Sequence, residues 1–449
     1  MTLLTRRKFL KQTLSGTAVI SLPLLVSAKA LGLDGGTPAN DRIVMGMVGQ
    51  GIQGRIDTQG FLCYPQCQIV TVCDAVDKHA EMAASLVNKA YANSDCKTTW
   101  MFEDVLNDEK IDAVFIGTNE HWHTYIAVHA MRNGKDVYCE KPETLTIREG
   151  QLLRETARHC KRVFSGGSQR VVADYQTMHK IIRAGLIGKV LIGHGNAGCY
   201  WGANDPLPGQ PVPDGVHWDR WLGPAPVRPF HPGYLSCGCG NGYMDFSGGG
   251  LVSWGAHCWG AIMYAMHLDY TGPTKITPPG VNGEQCLTWE FANGMKIMEG
   301  NAWGQHAGLR KGLPPGGGFI SFTGELGTVS EQDIFNEKYP LPDMELEVFK
   351  GEPASKSSEH DPVGIGGTLY YAGRPTIFGD FLHCVKTREV PFRNVERAHR
   401  VCSLAHLGNI ALHLRRELHF DPVKEEIIGD ETAARMLDRP RRSPWILDT

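Results

Sequence analysis

Beyond residue 30 the chain carries no apolar run that approaches the length of a membrane span, no internal repeat and no low-complexity tract. Hydrophobic residues at 42% and charged residues at 21% are ordinary globular proportions, which excludes a large disordered region. Positive charge is not in excess either, 45 Lys and Arg standing against 48 Asp and Glu. The first thirty residues hold the cations Arg6, Arg7, Lys8, Lys11 and Lys29 and no anion, so without them the formal net charge goes from -3 to -8. An acidic remainder argues against nucleic acid or an anionic membrane as partner. Cysteine is not lacking, at 13, but an odd number at scattered positions defines no disulfide framework. Most are expected to be small buried hydrophobes. Cys237 and Cys239 share a glycine-rich loop and could be a redox pair or metal ligands. No second Cys/His pair stands nearby at finger-like spacing, so no metal site is expected.

What is there begins with a segment different in kind. Arg6-Arg7-Lys8-Phe9-Leu10-Lys11 precedes a mildly apolar stretch from Gly16 to Val26 and the triplet Ala28-Lys29-Ala30. This resembles a twin-arginine export signal occupying residues 1–30, and so implies a periplasmic or cell-envelope location. The alternative is an amphipathic helix that stays attached. After a polar linker at 34–41, short apolar runs at Arg42 to Val48, Ile69 to Cys73, Ala113 to Ile116 and Val137 to Cys139 alternate with helical spacing at Lys78 to Tyr91, His121 to Arg132 and Arg148 to His159. That alternation predicts a doubly wound parallel sheet. From about residue 186 the pattern changes to Gly/Pro-rich loops and alternating runs at Gln285 to Phe291 and Met295 to Asn301, which is antiparallel material. Helical patterns at Ile377 to Thr387 and Asn394 to Glu417 follow. His399, His406 and His413 recur two helical turns apart, too far to share a metal, and read as a packed or interfacial face.

Gly49-Gln50-Gly51-Ile52-Gln53-Gly54 directly follows the first apolar run and opens a helical stretch. In that context the first glycine permits a tight turn, the second lets backbone approach a pyrophosphate, and the third lets helix pack on strand. Asp74, twenty residues past Gly54 at the end of the next strand, suits the adenosine ribose hydroxyls and would repel a 2′-phosphate, favouring NAD over NADP. Its other reading is an N-cap of the following helix.

Asn119-Glu120-His121-Trp122-His123, then Asn133 to Pro142 ending in Glu140-Lys141-Pro142, Gly167-Ser168-Gln169-Arg170, Trp221 to Pro226 and Trp254-Gly255-Ala256-His257 together resemble the Gfo/Idh/MocA oxidoreductase family over nearly all of residues 41 to 447. The resemblance implies a Rossmann domain at 41–168 and, at 169–449, an α/β domain with an open, mainly antiparallel sheet, the active site between them. It implies that Lys141 sits near the nicotinamide and the reacting hydroxyl, and that His257 contacts substrate or exchanges its proton. Thr118, Asn119, His121, His123, Glu140 and Gln169 join Lys141 and the glycine motif as cofactor-binding positions. A homo-oligomer built on the open sheet is common in the family.

The chain departs from that pattern around His257. Relatives commonly carry aspartates where Ser253 and Gly260 stand, and an aspartate would orient the imidazole and raise its basicity. Asp245 and Tyr243 are candidate replacements, or loop residues. The leading expectation is hydride transfer between NAD and a secondary hydroxyl of a sugar or polyol, with the cofactor loaded before export and retained. The runner-up is an NAD-dependent glycosidase acting by transient oxidation and elimination, a route that needs no carboxylate pair. A third is a non-catalytic dinucleotide- or sugar-binding protein.

Overall fold

The computed structural model describes residues 37–168, 175–197, 205–235, 243–299, 320–330, 333–334, 336–344, 346, 349–355 and 375–447. Residues 1–30, read from the sequence as an export signal, and Gln169, Cys237 and Cys239 lie outside them. The chain divides into two units, Met1–Arg42 and Ile43–Thr449. The first is described only at its end, where Ala39–Asp41 make a single 3-10 turn; the second carries two sheets.

Six parallel strands form the first sheet: β1 (Ile43–Val48), β2 (Cys67–Cys73), β3 (Lys97–Thr99), β4 (Ala113–Ile116), β5 (Asp136–Cys139) and β6 (Phe164–Gly166), in the order β3-β2-β1-β4-β5-β6. Helices α1 (Ile52–Leu62), α2 (Asp77–Tyr91), α3 (Phe102–Asn107), α4 (Glu120–Arg132) and α5 (Ile147–Cys160) make the connections. Every residue of β4 and β5 is buried, which is why β4 and, after Asp136, β5 are apolar runs in place of alternating ones. The α5 helix starts on a capping box. Thr146 Oγ1 accepts Glu149 N at 3.1 Å, while the Glu149 carboxylate reaches back to Leu145 N at 2.7 Å. Strand order reverses between β1 and β4, and there a crevice opens at the carboxyl ends of the strands.

The second sheet has eight strands: β7 (Val190–Gly195), β8 (Lys275–Thr277), β9 (Leu287–Glu290), β10 (Lys296–Glu299), β11 (Ile320–Gly324), β12 (Thr328–Ser330), β13 (Leu418–Asp421) and β14 (Glu426–Ile428). Their order is β12-β11-β7-β10-β9-β8-β13-β14, and every pairing is antiparallel except β7 with β10. The remaining helices are α6 (Gln176–Arg183), α7 (Trp218–Leu222), α8 (Pro232–Leu235), α9 (Gly250–Ser253), α10 (Gly255–Ala265), α11 (Ile377–Thr387), α12 (Val395–Leu414) and α13 (Glu431–Arg435); α11 packs into the core of the first sheet, α7 and α8 bring Trp221 and Tyr234 to a small aromatic cluster, and the others lie against the second sheet. All of α10 is buried, and it shares one core with α12 and the sheet. No helix among the described residues is long and apolar enough to cross a membrane.

The polar tail does not trail into solvent. Arg441 pairs with Glu149 at 3.1 Å, and Trp445 and Leu447 are buried in the core beneath α4, the Trp445 ring edge-on to Trp122 with centroids 5.8 Å apart. None of the ten described cysteines forms a disulfide and eight are buried, the small-hydrophobe role expected of them. His399 contacts Glu425 at 2.8 Å and His406 the Thr144 carbonyl at 3.1 Å, so these two stand in a packed helix face.

Candidate active site

The crevice holds a cleft lined by Gly49, Gly51, Asp74, Thr118, Asn119 and His121, six of the positions read from the sequence. Gly49 has φ +84°, and a Cβ there would lie 2.4 Å from Thr118 N, so no side chain fits. A Cβ on Gly54 would lie 2.0 Å from Gly49 O, which is the close helix approach expected of the third glycine. At Gly51 a Cβ would meet nothing within 4 Å: the start of α1 faces open cleft. Ile52 follows as an exposed first residue. Gln50 lines nothing. It is fully buried, its side chain donating to Gly49 O and accepting from Thr58 Oγ1, so it shapes the loop through internal bonds.

Asp74 ties the loop to β2. One carboxylate oxygen accepts Gln50 N at 2.6 Å; the other accepts Val76 N at 2.8 Å and faces His79 Nδ1 at 3.3 Å. The N-cap of α2 is Val76, so Asp74 braces the turn before that helix without being its cap, and it still borders the cleft.

His121 and His123 divide the work that the sequence reading assigned to both. His121 borders the cleft, its Nε2 3.0 Å from Trp221 O, and burial lowers its pKa to about 4, so the ring is neutral and donates to that carbonyl. His123 does not border the cleft. Its ring nitrogens stand 2.7 Å from Pro142 O and 2.9 Å from Thr118 O, which makes it a brace between two loop carbonyls, not a cofactor contact. Glu140 is likewise internal. Its carboxyl is buried with one oxygen on Lys141 N and the other without a partner; burial first, then the nearby Asp57 carboxylate, push its pKa well above the usual range and keep it neutral.

Lys141 follows β5, half-buried. His257, on α10, is buried with Nδ1 2.6 Å from Ser168 Oγ. The two are linked through adjoining backbone, because Gly167 packs so tightly on Glu140 that a Cβ there would lie 2.3 Å from the Glu140 carboxyl. Asp245 and Tyr243 are held elsewhere. Arg228 pairs with the Asp245 carboxylate at 2.5 Å and stands over the Tyr243 ring, within the aromatic cluster of Trp221, Tyr234 and Phe246. A carboxylate neutralised by its own arginine organises the loop; it does not take the place of the aspartates absent around His257.

Three groups at the site were not singled out in the sequence. Ser168 is the partner of His257; the motif Gly167-Ser168-Gln169-Arg170 was legible, but not that its serine faces a helix 89 residues on. Glu120 opens α4, where an acidic residue is commonplace for dipole reasons, yet it is buried and accepts Gly248 N at 2.5 Å and Ser247 Oγ at 3.0 Å. The segment 215–222 closes one end of the cleft. Asp77 N donates to Gly215 O and His217 N to Ala75 O, both at 2.9 Å, His217 stacks on Trp100 at 4.4 Å, and Arg220 pairs with Glu103 at 2.6 Å. Trp122 holds the same segment, donating from Nε1 to Arg220 O and Trp221 O at 3.1 Å. No cluster of metal-ligating side chains occurs among the described residues.

Two family models match in order. The NAD-binding Rossmann fold of the oxidoreductase family covers residues 43–168, and the C-terminal alpha/beta domain of the oxidoreductase family covers 172–349 and 371–447. A glycosyl hydrolase family 109 protein from Saccharopolyspora erythraea is 31% identical over 173 residues, 36% of either chain. The chain thus spans about a third of the length of the first curated relatives it matches. Among solved structures, the myo-inositol 2-dehydrogenase of Lactobacillus plantarum aligns with a TM-score of 0.52 at 14% identity over 85% of this chain and 100% of its own. An NAD-binding protein from Listeria innocua aligns at 0.53 and 19% identity, over 84% and 97%. Identities this low speak to a shared fold. With both domain models matched across most of residues 43–447, the chain belongs to the Gfo/Idh/MocA oxidoreductase family.

Proposed function

We propose that the protein transfers a hydride between NAD and a secondary hydroxyl of a sugar or polyol, and that the cofactor stays bound through turnover. The observation that carries this reading is the glycine-lined cleft at the carboxyl ends of β1 and β4, and it is supported by Gly167, next to the Ser168 that bonds His257, packing on Glu140, next to Lys141. Bound NAD would supply the hydride acceptor. The residues present suit it: the first-turn N-H groups of α1 face open space at Gly51 for the pyrophosphate, and the Asp74 carboxylate at the cleft wall favours a ribose diol over a 2′-phosphate.

The Lys141 ammonium stabilises negative charge developing on the reacting oxygen, and its half-buried setting eases proton exchange. His257 holds a proton at one ring nitrogen while Ser168 fixes the ring through the other. Retention is supported by the 215–222 segment, which bonds to both walls of the cleft. Loading before export by the twin-arginine-type signal, to the periplasm or cell envelope, would explain why retention is needed.

The likeness to glycosyl hydrolase family 109 proteins favours a second reading, NAD-dependent glycoside cleavage by transient oxidation at the same site. Purifying the protein without added cofactor, denaturing it and chromatographing the supernatant tests both readings. Near-stoichiometric NAD is expected, and the loaded protein is then screened with glycosides and with sugar pairs. Lys141→Met is expected to keep its NAD and to lose turnover by a factor on the order of a hundred or more; unchanged turnover would take Lys141 out of the chemistry, and no turnover in the loaded wild type would leave only a binding protein.

A further inference from the structure

Glu120 crosses from the first turn of α4 to the turn that introduces the His257 helix. Its carboxylate accepts Gly248 N at 2.5 Å and Ser247 Oγ at 3.0 Å, and that serine hydroxyl accepts Gly249 N at 3.0 Å. On the other side of the same peptide, Gly248 O accepts Asn409 Nδ2 of α12 at 2.7 Å. Gly248 is therefore gripped from both faces, by the first sheet's helix and by the longest helix of the second. Gly249 follows at φ +73°, then α9, which carries Ser253, and α10, with His257 four residues further on.

From this we infer that Glu120 is a positioning residue of the reaction site: its ionised carboxylate locks the 247–249 turn, and through it the helix carrying His257, against the side of the cleft that carries Lys141. The inference rests on the reading of Lys141 and His257 as the proton-handling pair. A charged acceptor makes the Gly248 and Ser247 bonds roughly twice as strong as a neutral one would, so the lock depends on the charge.

The groups that face Glu120 decide when that charge is present. Burial raises its pKa to about 7; the bonds from Gly248 and Ser247, the Lys141 ammonium beyond β5 and the Ser253 hydroxyl all act the other way. Arg439 of the tail also faces it, while His121 on its own helix is neutral and Asp245 in the adjoining turn is held by Arg228. Lowering the pH through about 7 therefore protonates Glu120 and releases the turn.

Hydrogen-deuterium exchange of the full chain, read by mass spectrometry on peptides spanning 244–254 and corrected for intrinsic rates, measures the lock without a substrate. In the wild type, protection is expected to fall on going from pH 8 to pH 6; in Glu120→Gln it should be low at both, with the melting temperature recorded as a control for folding. Equal protection in wild type and Glu120→Gln overturns the inference. Reduction of bound NAD by a panel of free sugars and glycosides gives the second arm. Wild-type kcat/KM should drop below pH 7, and Glu120→Gln should flatten that limb and lie on the order of tenfold to a hundredfold lower at pH 8. A locked turn in a protein that reduces no NAD refutes the reading of the Lys141/His257 pair and leaves the lock standing. An unchanged pH limb in an active Glu120→Gln refutes the lock.

Discussion

Ser168 Oγ lies 2.6 Å from Nδ1 of His257, and both side chains are buried. A hydroxyl thus does what a carboxylate would otherwise do for the ring: it fixes the orientation, but adds no charge to stabilise an imidazolium. Ser168→Ala is expected to lower kcat about tenfold with KM little changed, because the ring loses its alignment while the cleft keeps its walls. Ser253→Ala, which removes a hydroxyl that favours the ionised Glu120, should instead shift the pH profile. Steady-state kinetics on the two variants separates these outcomes.

Closure of the cleft by 215–222 makes cofactor release depend on contacts far from the chemistry. Trp100→Ala removes the stack with His217 and the surface under Arg220, and Arg220→Ala removes the pair with Glu103. Each is expected to speed NAD dissociation severalfold, given the roughly 0.5–1.5 kcal/mol of an aromatic pair and up to about 1 kcal/mol for a partly exposed ion pair. Stopped-flow exchange against an excess of a fluorescent NAD analogue measures this, and rates equal to wild type would sink the retention argument.

Asp245 and Arg228 form a partly buried ion pair, so Asp245→Asn leaves a guanidinium among aromatic rings without its counter-charge. A loss of about 1–3 kcal/mol in denaturant unfolding is expected, with an unaltered pH profile of activity. A catalytic Asp245 would show the reverse, a stable protein with a shifted profile.

Glu425 sits among His399, Arg154 and Arg400, at 2.8, 3.0 and 2.8 Å. Burial raises its pKa, but the His399 bond and the charges of Arg154 and Arg400 outweigh burial and bring it down to about 2. The folded pKa lies below the unfolded value, so the stability contributed is present above pH 4.5 and lost as the pH falls toward 2. Glu425→Gln is expected to destabilise the protein at pH 7 and to flatten its acid unfolding over that window, as thermal melts across pH would record.

The sequence by itself determined the elements whose signal is local. The runs at β1, β2, β4 and β5, the helices α2, α4 and α5, and the glycine turn at 49–54 were legible because burial on both faces writes continuous apolar stretches and because a φ of +84° at Gly49 admits no side chain. Strands as short as β3, β6 and β12 have too few residues for any period to show. The tertiary structure alone decided which polar groups meet. Nothing in the order of residues says that Ser168 faces His257, that Arg228 takes Asp245 out of the site, that His123 turns inward while His121 borders the cleft, or that Glu120 reaches a turn 128 residues away. Hydrophobic patterning records which face of an element is buried, whereas a hydrogen bond between two elements depends on their packing to within an ångström, and that is settled only when each sheet and its helices have closed on their cores.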